Sequence, residues 1–341
     1  MKAILHIGMP KTGSSSIQDT LASADLGNAR YFDWRAPNHS SLLAVVSKDM
    51  SHGFSKRHSI EDLDKIIAST AQTFRDNAER DGTESFIISA ERLFNSPPEN
   101  LRVFKAFLDQ FATSYSVIGY VREPSSFLVS AFQQNIKMGK CGLQLGKIWP
   151  DYRRRISNFD HLFGQENVTV RLFDRAALKN GDVVQDFAEF AKIDLKPQDI
   201  VKTNESLSAE AVAFLFLDRH FGKSFDAQES KQPALTSKLV QKLSLHKGRR
   251  FTFAPELIDP VLERHSKDIA WIEQRLGISF ATGPKKAEVV FRTKKDLIDF
   301  AMQNQSVLRE IIGLTAPTRD TVDPAKAAAF VKGLIASRTN E

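Results

Sequence analysis

Three clusters of residues, and one isolated histidine, are of types and spacings that could do chemistry on an anion. The first cluster is Gly8-Met9-Pro10-Lys11-Thr12-Gly13-Ser14-Ser15-Ser16. Gly8 and Gly13 let the main chain approach a bound group closely, Lys11 adds a point charge, and the hydroxyls of Thr12, Ser14, Ser15 and Ser16 add donors. Where such a loop opens a helix, backbone N–H groups and the positive end of the helix dipole converge on one spot and stabilise an anion there. The second cluster is Arg122-Glu123-Pro124, with Ser130 eight residues after the arginine. A guanidinium offers a fork and a hydroxyl a single donor, so the two can grip one anion from two directions. Read alone, Arg122 is equally an ion-paired strand end and Ser130 a helix serine facing solvent. The third is Ile87-Ile88-Ser89-Ala90-Glu91-Arg92, an apolar run ending in a carboxylate expected to face the same cleft edge as Lys11. A partly desolvated carboxylate can take a proton as general base; the alternative for Glu91 is an ion pair with Arg92 or Arg122. His39, in Phe32-Asp33-Trp34-Arg35-Ala36-Pro37-Asn38-His39-Ser40, is a second candidate base, because imidazole titrates near neutrality. A loop histidine can equally be a surface or satisfied residue.

Alternating strands and helices must position these groups. Ala3 to Ile7 reads as a buried strand, followed by a helix from Ser14 to Leu26 and a second short strand from Ala29 to Trp34. Leu63, Ile66, Ile67, Thr70 and Phe74 recur at helical spacing, and the turn residues Asp81-Gly82 lead to a strand at Ser85 to Ser89. Leu101, Phe104, Phe107, Leu108 and Phe111 mark one helix face, Tyr115 to Val121 the next strand, and Pro124 the first turn of the next helix. Val168 to Phe173 is a further strand, before a helix carrying Val183, Val184, Phe187 and Phe190. This alternation predicts an α/β fold: a three-layer, P-loop-type arrangement with a central, mostly parallel sheet flanked by helices. In such sheets ligands bind at the carboxyl ends of the strands. That places the chemistry just after Ile7, Ser89 and Val121. Beyond residue 200 strands are not expected, and helices are read at Leu207 to Phe221 and Ile258 to Leu276. Gly283-Pro284-Lys285-Lys286 reads as a linker, dividing the chain into a domain at 1–284 and a helical appendage at 285–341.

A chain of 341 residues, 42% hydrophobic and 26% charged, can bury a full core. No run approaches the ~18 apolar residues of a membrane span and the start lacks a secretory leader pattern, so a cytoplasmic location is expected. The single cysteine, Cys141, excludes an internal disulfide framework and a thiolate metal cluster. The net charge of +6 gathers in two blocks, Lys137 to Arg155 and Lys238 to Arg250. Both suit an anionic cofactor or an acidic acceptor, although a solvated basic surface accounts for them equally.

A nucleotide-binding Walker A loop places its lysine directly after the second glycine. Here Ser14 holds that position and the lysine has moved ahead to Lys11. The order Pro10-Lys11-Thr12-Gly13-Ser14-Ser15-Ser16 resembles the 5′-phosphosulfate loop of sulfotransferases that use 3′-phosphoadenosine-5′-phosphosulfate (PAPS). Arg122-x-Pro124 with Ser130 resembles the 3′-phosphate site of the same enzymes, and Lys247-Gly248-Arg249 is similar to the loop that closes over PAPS in the heparan-type members. The likeness covers roughly residues 1–280; residues 134–165 and 285–341 have no counterpart. It implies sulfuryl transfer to a hydroxyl, less readily an amine, of a carbohydrate-like acceptor, with Lys11 to Ser16, Arg122, Ser130, Lys247, Gly248 and Arg249 holding PAPS. Lys11 would stabilise the leaving phosphate, with Glu91 as base and His39 as the alternative base. Neither a metal nor a nucleic acid is expected as partner, and an acidic or sulfated glycan would suit the basic blocks. Two other readings stay open: an atypical small-molecule kinase with Glu91 near a metal, and a non-catalytic nucleotide or nucleic-acid binding module.

Overall fold

Along Lys2–Gly8 (β1) the side chains alternate, sending Ala3, Leu5 and Ile7 to one face of a sheet and Ile4 to the other. The computed structural model describes residues 1–78, 82–203, 206–221, 233–280, 287–312 and 320–328, with backbone alone at 233–238. β1 lies at the centre of a five-stranded sheet in the order β2-β3-β1-β4-β5, the others being Ala29–Tyr31 (β2), Ser85–Ala90 (β3), Ser114–Val121 (β4) and Val168–Leu172 (β5). Every pairing is parallel. A parallel sheet needs cover on both faces. Ser14–Ser23 (α1) and Val183–Ala191 (α8) pack against the Ile4 face with Ile87, Ile118 and Tyr120. The other face is covered by Ser40–Val46 (α2), Ile60–Ala78 (α3), Glu91–Asn95 (α4), Pro98–Leu108 (α5) and Tyr152–Phe163 (α7). The three-layer α/β expectation is therefore met.

The chain divides into two compact units. One comprises Met1–Glu123, Pro150–Thr203 and Lys267–Phe280, and holds the five-stranded sheet. The other comprises Pro124–Trp149, Asn204–Ser266 and Ala281–Glu341. Within it, Ala209–Phe221 (α9) is buried from Ala209 to Arg219, and it packs with Pro124–Lys137 (α6), Pro233–Leu245 (α10), Lys294–Gln303 (α13) and Gln305–Ile312 (α14).

Three expectations need correction. Strands do not end at residue 200, because Phe251–Phe253 (β6) and Val289–Phe291 (β7) pair in parallel; three-residue strands are too short to show a period. The helix read across Ile258 to Leu276 is two, Pro255–Arg264 (α11) and Ser266–Leu276 (α12), with the break at His265. The strand read to Trp34 leaves the sheet after Tyr31, and Phe32 adds one last bond to Ile87. The expected linker at Gly283 to Lys286 lies outside the described residues.

Phe74 closes the core beneath α3. It is fully buried, stacks on Phe32 with centroids 3.9 Å apart, and meets Phe111 at 4.9 Å and Phe86 edge-on at 5.1 Å. Phe74→Ala should cost about 3–5 kcal/mol of stability through lost burial and a cavity, read as a lowered midpoint with unchanged slope in urea unfolding; a change within 1 kcal/mol would contradict this packing.

Candidate anion-binding site

With β3 on one side of β1 and β4 on the other, successive connections leave β1 in opposite directions, and the crevice this opens at the carboxyl ends is where α/β sheets bind ligands. The loop from Gly8 to Gly13 runs there. Gly8 is forced by close approach: a Cβ would lie 2.6 Å from Ser14 Oγ and 3.2 Å from Glu91 Cγ. Gly13 adopts φ +78°, and a Cβ there would lie 2.6 Å from Val183 Cγ1. Lys11 is also left-handed, at φ +67°, a conformation that costs a non-glycine residue about 1–2 kcal/mol and that collects at functional sites. Thr12 is fully buried and its hydroxyl donates to the Met9 carbonyl at 2.7 Å, so its side chain braces the loop from inside.

At the start of α1, Gly13 is the N-cap without a side-chain cap, and the first turn carries no acidic residue. A helix start without a side-chain cap is the kind of place where an anion can be stabilised. Ser14 Oγ is buried with no hydrogen-bond partner among the described residues. Ser16 is engaged otherwise, its Oγ accepting from the Thr203 N–H at 3.0 Å. Glu91, the first residue of α4, packs directly on Gly8.

Arg122 follows β4, and its guanidinium lies over the Phe173 ring, 4.9 Å from the centroid. The same ring would be 3.2 Å from a Cβ on Gly13, so one phenylalanine spans the space between loop and arginine. Tyr152 OH donates to the Arg122 carbonyl at 2.8 Å and steadies the strand end. Burial pushes the Arg122 guanidinium below its ordinary range, with the neighbouring Glu123 charge opposing. The structure thus brings together Lys11, Thr12, Gly13, Ser14, Ser15, Ser16, Glu91 and Arg122 at one end of one sheet. Phe173 was missed by sequence reasoning, since no spacing rule marks a phenylalanine just beyond a strand; its position one residue past β5 is the available signal.

The residue two before Glu91 is the hub of a buried polar network. Ser89 Oγ shares a 2.7 Å hydrogen bond with His6 Nδ1 and accepts from Gln18 Nε2 at 3.1 Å. On its main chain, Ser89 N–H donates to His39 Nδ1 at 3.1 Å, and His39 N–H donates to the Ser89 carbonyl at 2.9 Å. His39 is buried and stacks on Tyr31 at 4.5 Å. Because Nδ1 accepts from a backbone N–H, the neutral ring carries its proton on Nε2, and its lone pair is already engaged. This arrangement makes His39 a clamp on the end of β3 and leaves it poorly suited to accept a proton.

Burial pushes the His39 pKa down to about 4, the Phe32 backbone opposing, and burial pushes His6 down to about 3. Both rings fold neutral, whereas the unfolded chain binds protons on them below about pH 6.5. The stability they preserve is complete above that value and is lost as pH falls toward the folded values. Each histidine should cost about 2 kcal/mol between pH 7 and pH 5. His39→Gln should flatten its share of the slope in urea unfolding measured across that range; an unchanged slope would show that His39 does not fold neutral.

Within the second unit, Ser130 is a buried residue of α6. Lys247 is exposed. Gly248 is required by packing, since a Cβ would fall 2.2 Å from Glu210 Oε2. Arg249 donates from Nε to Glu210 Oε1 at 2.7 Å and from Nη2 to Asn304 at 2.8 Å, and its guanidinium lies 4.6 Å from the Phe300 centroid. Although burial pushes the Glu210 carboxyl up, the hydrogen bonds from Arg249 hold it below its ordinary range. Arg249 thus ties Glu210 to Asn304 within this unit while its side chain stays 44% exposed.

Fold and loop together define an α/β protein with a strand-loop-helix turn, a candidate anion cradle, at the centre of a parallel sheet. The chain matches no family model. Over 126 residues it is 25% identical to an uncharacterized protein of Archaeoglobus fulgidus, a match covering 36% of this chain and 34% of that protein. The match thus spans about a third of that relative's length. Among solved structures, a sulfotransferase from Alicyclobacillus acidocaldarius superposes with a TM-score of 0.47 at 13% identity, covering 81% of this chain and 96% of the other. No helix of the described residues is long and apolar enough to cross a membrane.

Proposed function

We propose that the chain is a sulfotransferase that moves the sulfuryl group of PAPS to a hydroxyl, less readily an amine, of a carbohydrate-like acceptor. The observation that carries this reading is the lysine in a left-handed position ahead of Gly13, in a loop whose order resembles the 5′-phosphosulfate loop. A helix start without a side-chain cap, the buried Ser14 hydroxyl and the close approach at Gly8 fit a phosphate-sized anion.

In this reading the loop N–H groups and Ser14 receive the 5′-phosphate, while Arg122, and Ser130 by the sequence motif alone, hold the 3′-phosphate. As the acceptor oxygen forms its bond to sulfur, the bond from sulfur to the 5′-phosphate oxygen breaks, and its electron pair leaves on that phosphate. Lys11 neutralises the charge developing there. Glu91 takes the proton released by the acceptor hydroxyl, leaving a sulfate ester and 3′,5′-adenosine bisphosphate. Positioning and charge stabilisation supply most of the rate in such an in-line transfer. A sulfuryl group carries less negative charge than a γ-phosphoryl group, so its transfer makes less demand on a divalent cation.

Transfer of label from ³⁵S-PAPS to a panel of hydroxyl acceptors tests the proposal. Lys11→Ala should lower kcat by about 10²–10³-fold, the scale for losing one preorganised charge-stabilising donor, and Glu91→Gln by about 10²–10⁴-fold, with unaltered circular dichroism. Wild-type turnover by Lys11→Ala would remove Lys11 from the chemistry. The rate should persist in EDTA, whereas a requirement for Mg²⁺ with transfer from ATP would identify a kinase instead.

A further inference from the structure

Glu91 opens α4, and α4 is only five residues long. Isolated helices below ~12–15 residues are marginal in water, so the direction in which Glu91 leaves the end of β3 is set by what grips this short helix from outside. That direction matters, because Glu91 Cγ and Ser14 Oγ both lie within 3.2 Å of the point that a Cβ on Gly8 would occupy. A carboxylate is thereby brought beside the loop that would receive an anion.

The start of α4 is held by both ends of α2. Ser40, the first residue of α2, accepts the Arg92 main-chain N–H on Oγ at 3.1 Å and is itself fixed by donating to Asn38 Oδ1 at 2.6 Å. Beyond the other end of α2, Lys48 is left-handed at φ +50°, and the next residue, Asp49, meets the Arg92 guanidinium at Nη2. The Asp49 carboxylate also accepts from the Ser51 N–H at 3.0 Å, Ser51 Oγ at 2.6 Å and Asn100 Nδ2 at 3.2 Å, while Arg92 Nη2 donates to Ser51 Oγ at 3.0 Å. Although burial pushes the Asp49 carboxyl up, hydrogen bonds from Ser51 and Arg92 hold it below its ordinary range. The pair is therefore charged and braced by further hydrogen bonds, the kind of ion pair whose geometry is specific.

The far end of α4 is held by α7. Arg155 donates from Nη1 to the Phe94 carbonyl at 3.3 Å and to the Asn95 side chain, and its guanidinium lies 5.4 Å from the Phe94 centroid. Three residues earlier on α7 is Tyr152, whose hydroxyl supports the Arg122 carbonyl. Asp268 fixes the start of α7 in turn, accepting from the Tyr152 and Arg153 N–H groups at 3.0 and 2.8 Å. One helix thus braces both α4 and the strand end that carries Arg122.

We infer that Arg92 and Arg155 are positioning residues, which clamp the two ends of α4 so that the Glu91 carboxylate stays beside the cradle loop. The inference rests on the sulfotransferase reading for what Glu91 does there, and it assigns how that carboxylate is aimed.

A double-mutant cycle isolates a coupling of this kind. The probe is sodium sulfate, titrated calorimetrically into the full chain at constant ionic strength. A carboxylate held beside the cradle opposes an anion, so Glu91→Gln should tighten sulfate binding about threefold or more. In the Arg92→Ala and Arg155→Ala backgrounds the same change should alter affinity by less than about twofold, and Arg92→Lys should keep most of the effect. Asp49→Asn removes the partner charge, keeps its shape and should give the same loss of coupling where Arg92→Ala does not fold. In turnover with PAPS, Arg92→Ala should lower kcat by about 10²-fold, the scale for a displacement of about 1 Å, at unchanged KM for PAPS. An effect of Glu91→Gln that is equal in every background, no binding of sulfate, or a raised KM with unchanged kcat would overturn the assignment. Label transfer from ³⁵S-PAPS, measured alongside, separates the two readings: coupling without transfer leaves the clamp and removes the sulfotransferase reading, and transfer without coupling does the reverse.

Discussion

The close approach at Gly8 is the constraint on which the site depends. β1 is buried between β3 and β4, its side chains alternate into two cores, and the loop that follows must turn within the width of one strand. A Cβ at Gly8 would press on Ser14 Oγ and Glu91 Cγ, so glycine is favoured there. That contact sets the distance between the start of α1 and the start of α4. It brings helix N–H groups, a hydroxyl and a carboxylate to one point, and the left-handed backbone at Lys11 is sustained because the surrounding loop is braced from inside by Thr12.

A second layer of support lies beneath. Ser89 is held by a side chain from β1, one from α1 and the main chain and ring of His39, so three elements fix the end of β3 from which Glu91 projects. Buried polar groups of this kind are costly unless satisfied, and where satisfied they rigidify. Both histidines serve by being neutral, the opposite of the role a titrating histidine would play in proton transfer.

Much of this was legible in the residues. The apolar runs that become β1, β3, β4 and β5 are continuous because both faces of a parallel sheet are covered, and the strand-loop-helix turn from Gly8 to Ser16 was readable from its glycines and hydroxyl residues. What stayed hidden has physical reasons. His39 could be read as a base or a surface residue, because the partner of its Nδ1 is a backbone N–H fifty positions away in sequence. Phe173 carries no motif, yet its ring lies against both Gly13 and Arg122. Arg249 shares its sequence pattern with phosphate-binding loops, and two of its donors go to Glu210 and Asn304, both distant along the chain, which the pattern does not show. Ser40–Val46 went unread as a helix because a short run ending in five consecutive apolar residues shows no helical period, and Tyr152–Phe163 because its start, Arg153 to Arg155, reads as part of a basic block.

The central claim is that the cradle and Arg122 together hold a nucleotide bearing two separated phosphates. Isothermal titration of the chain with 3′,5′-adenosine bisphosphate, in EDTA, tests it most directly. The account predicts one-site binding without metal, weakened about tenfold or more in Arg122→Ala. No heat at millimolar bisphosphate, or binding confined to Mg²⁺-ATP, would contradict it.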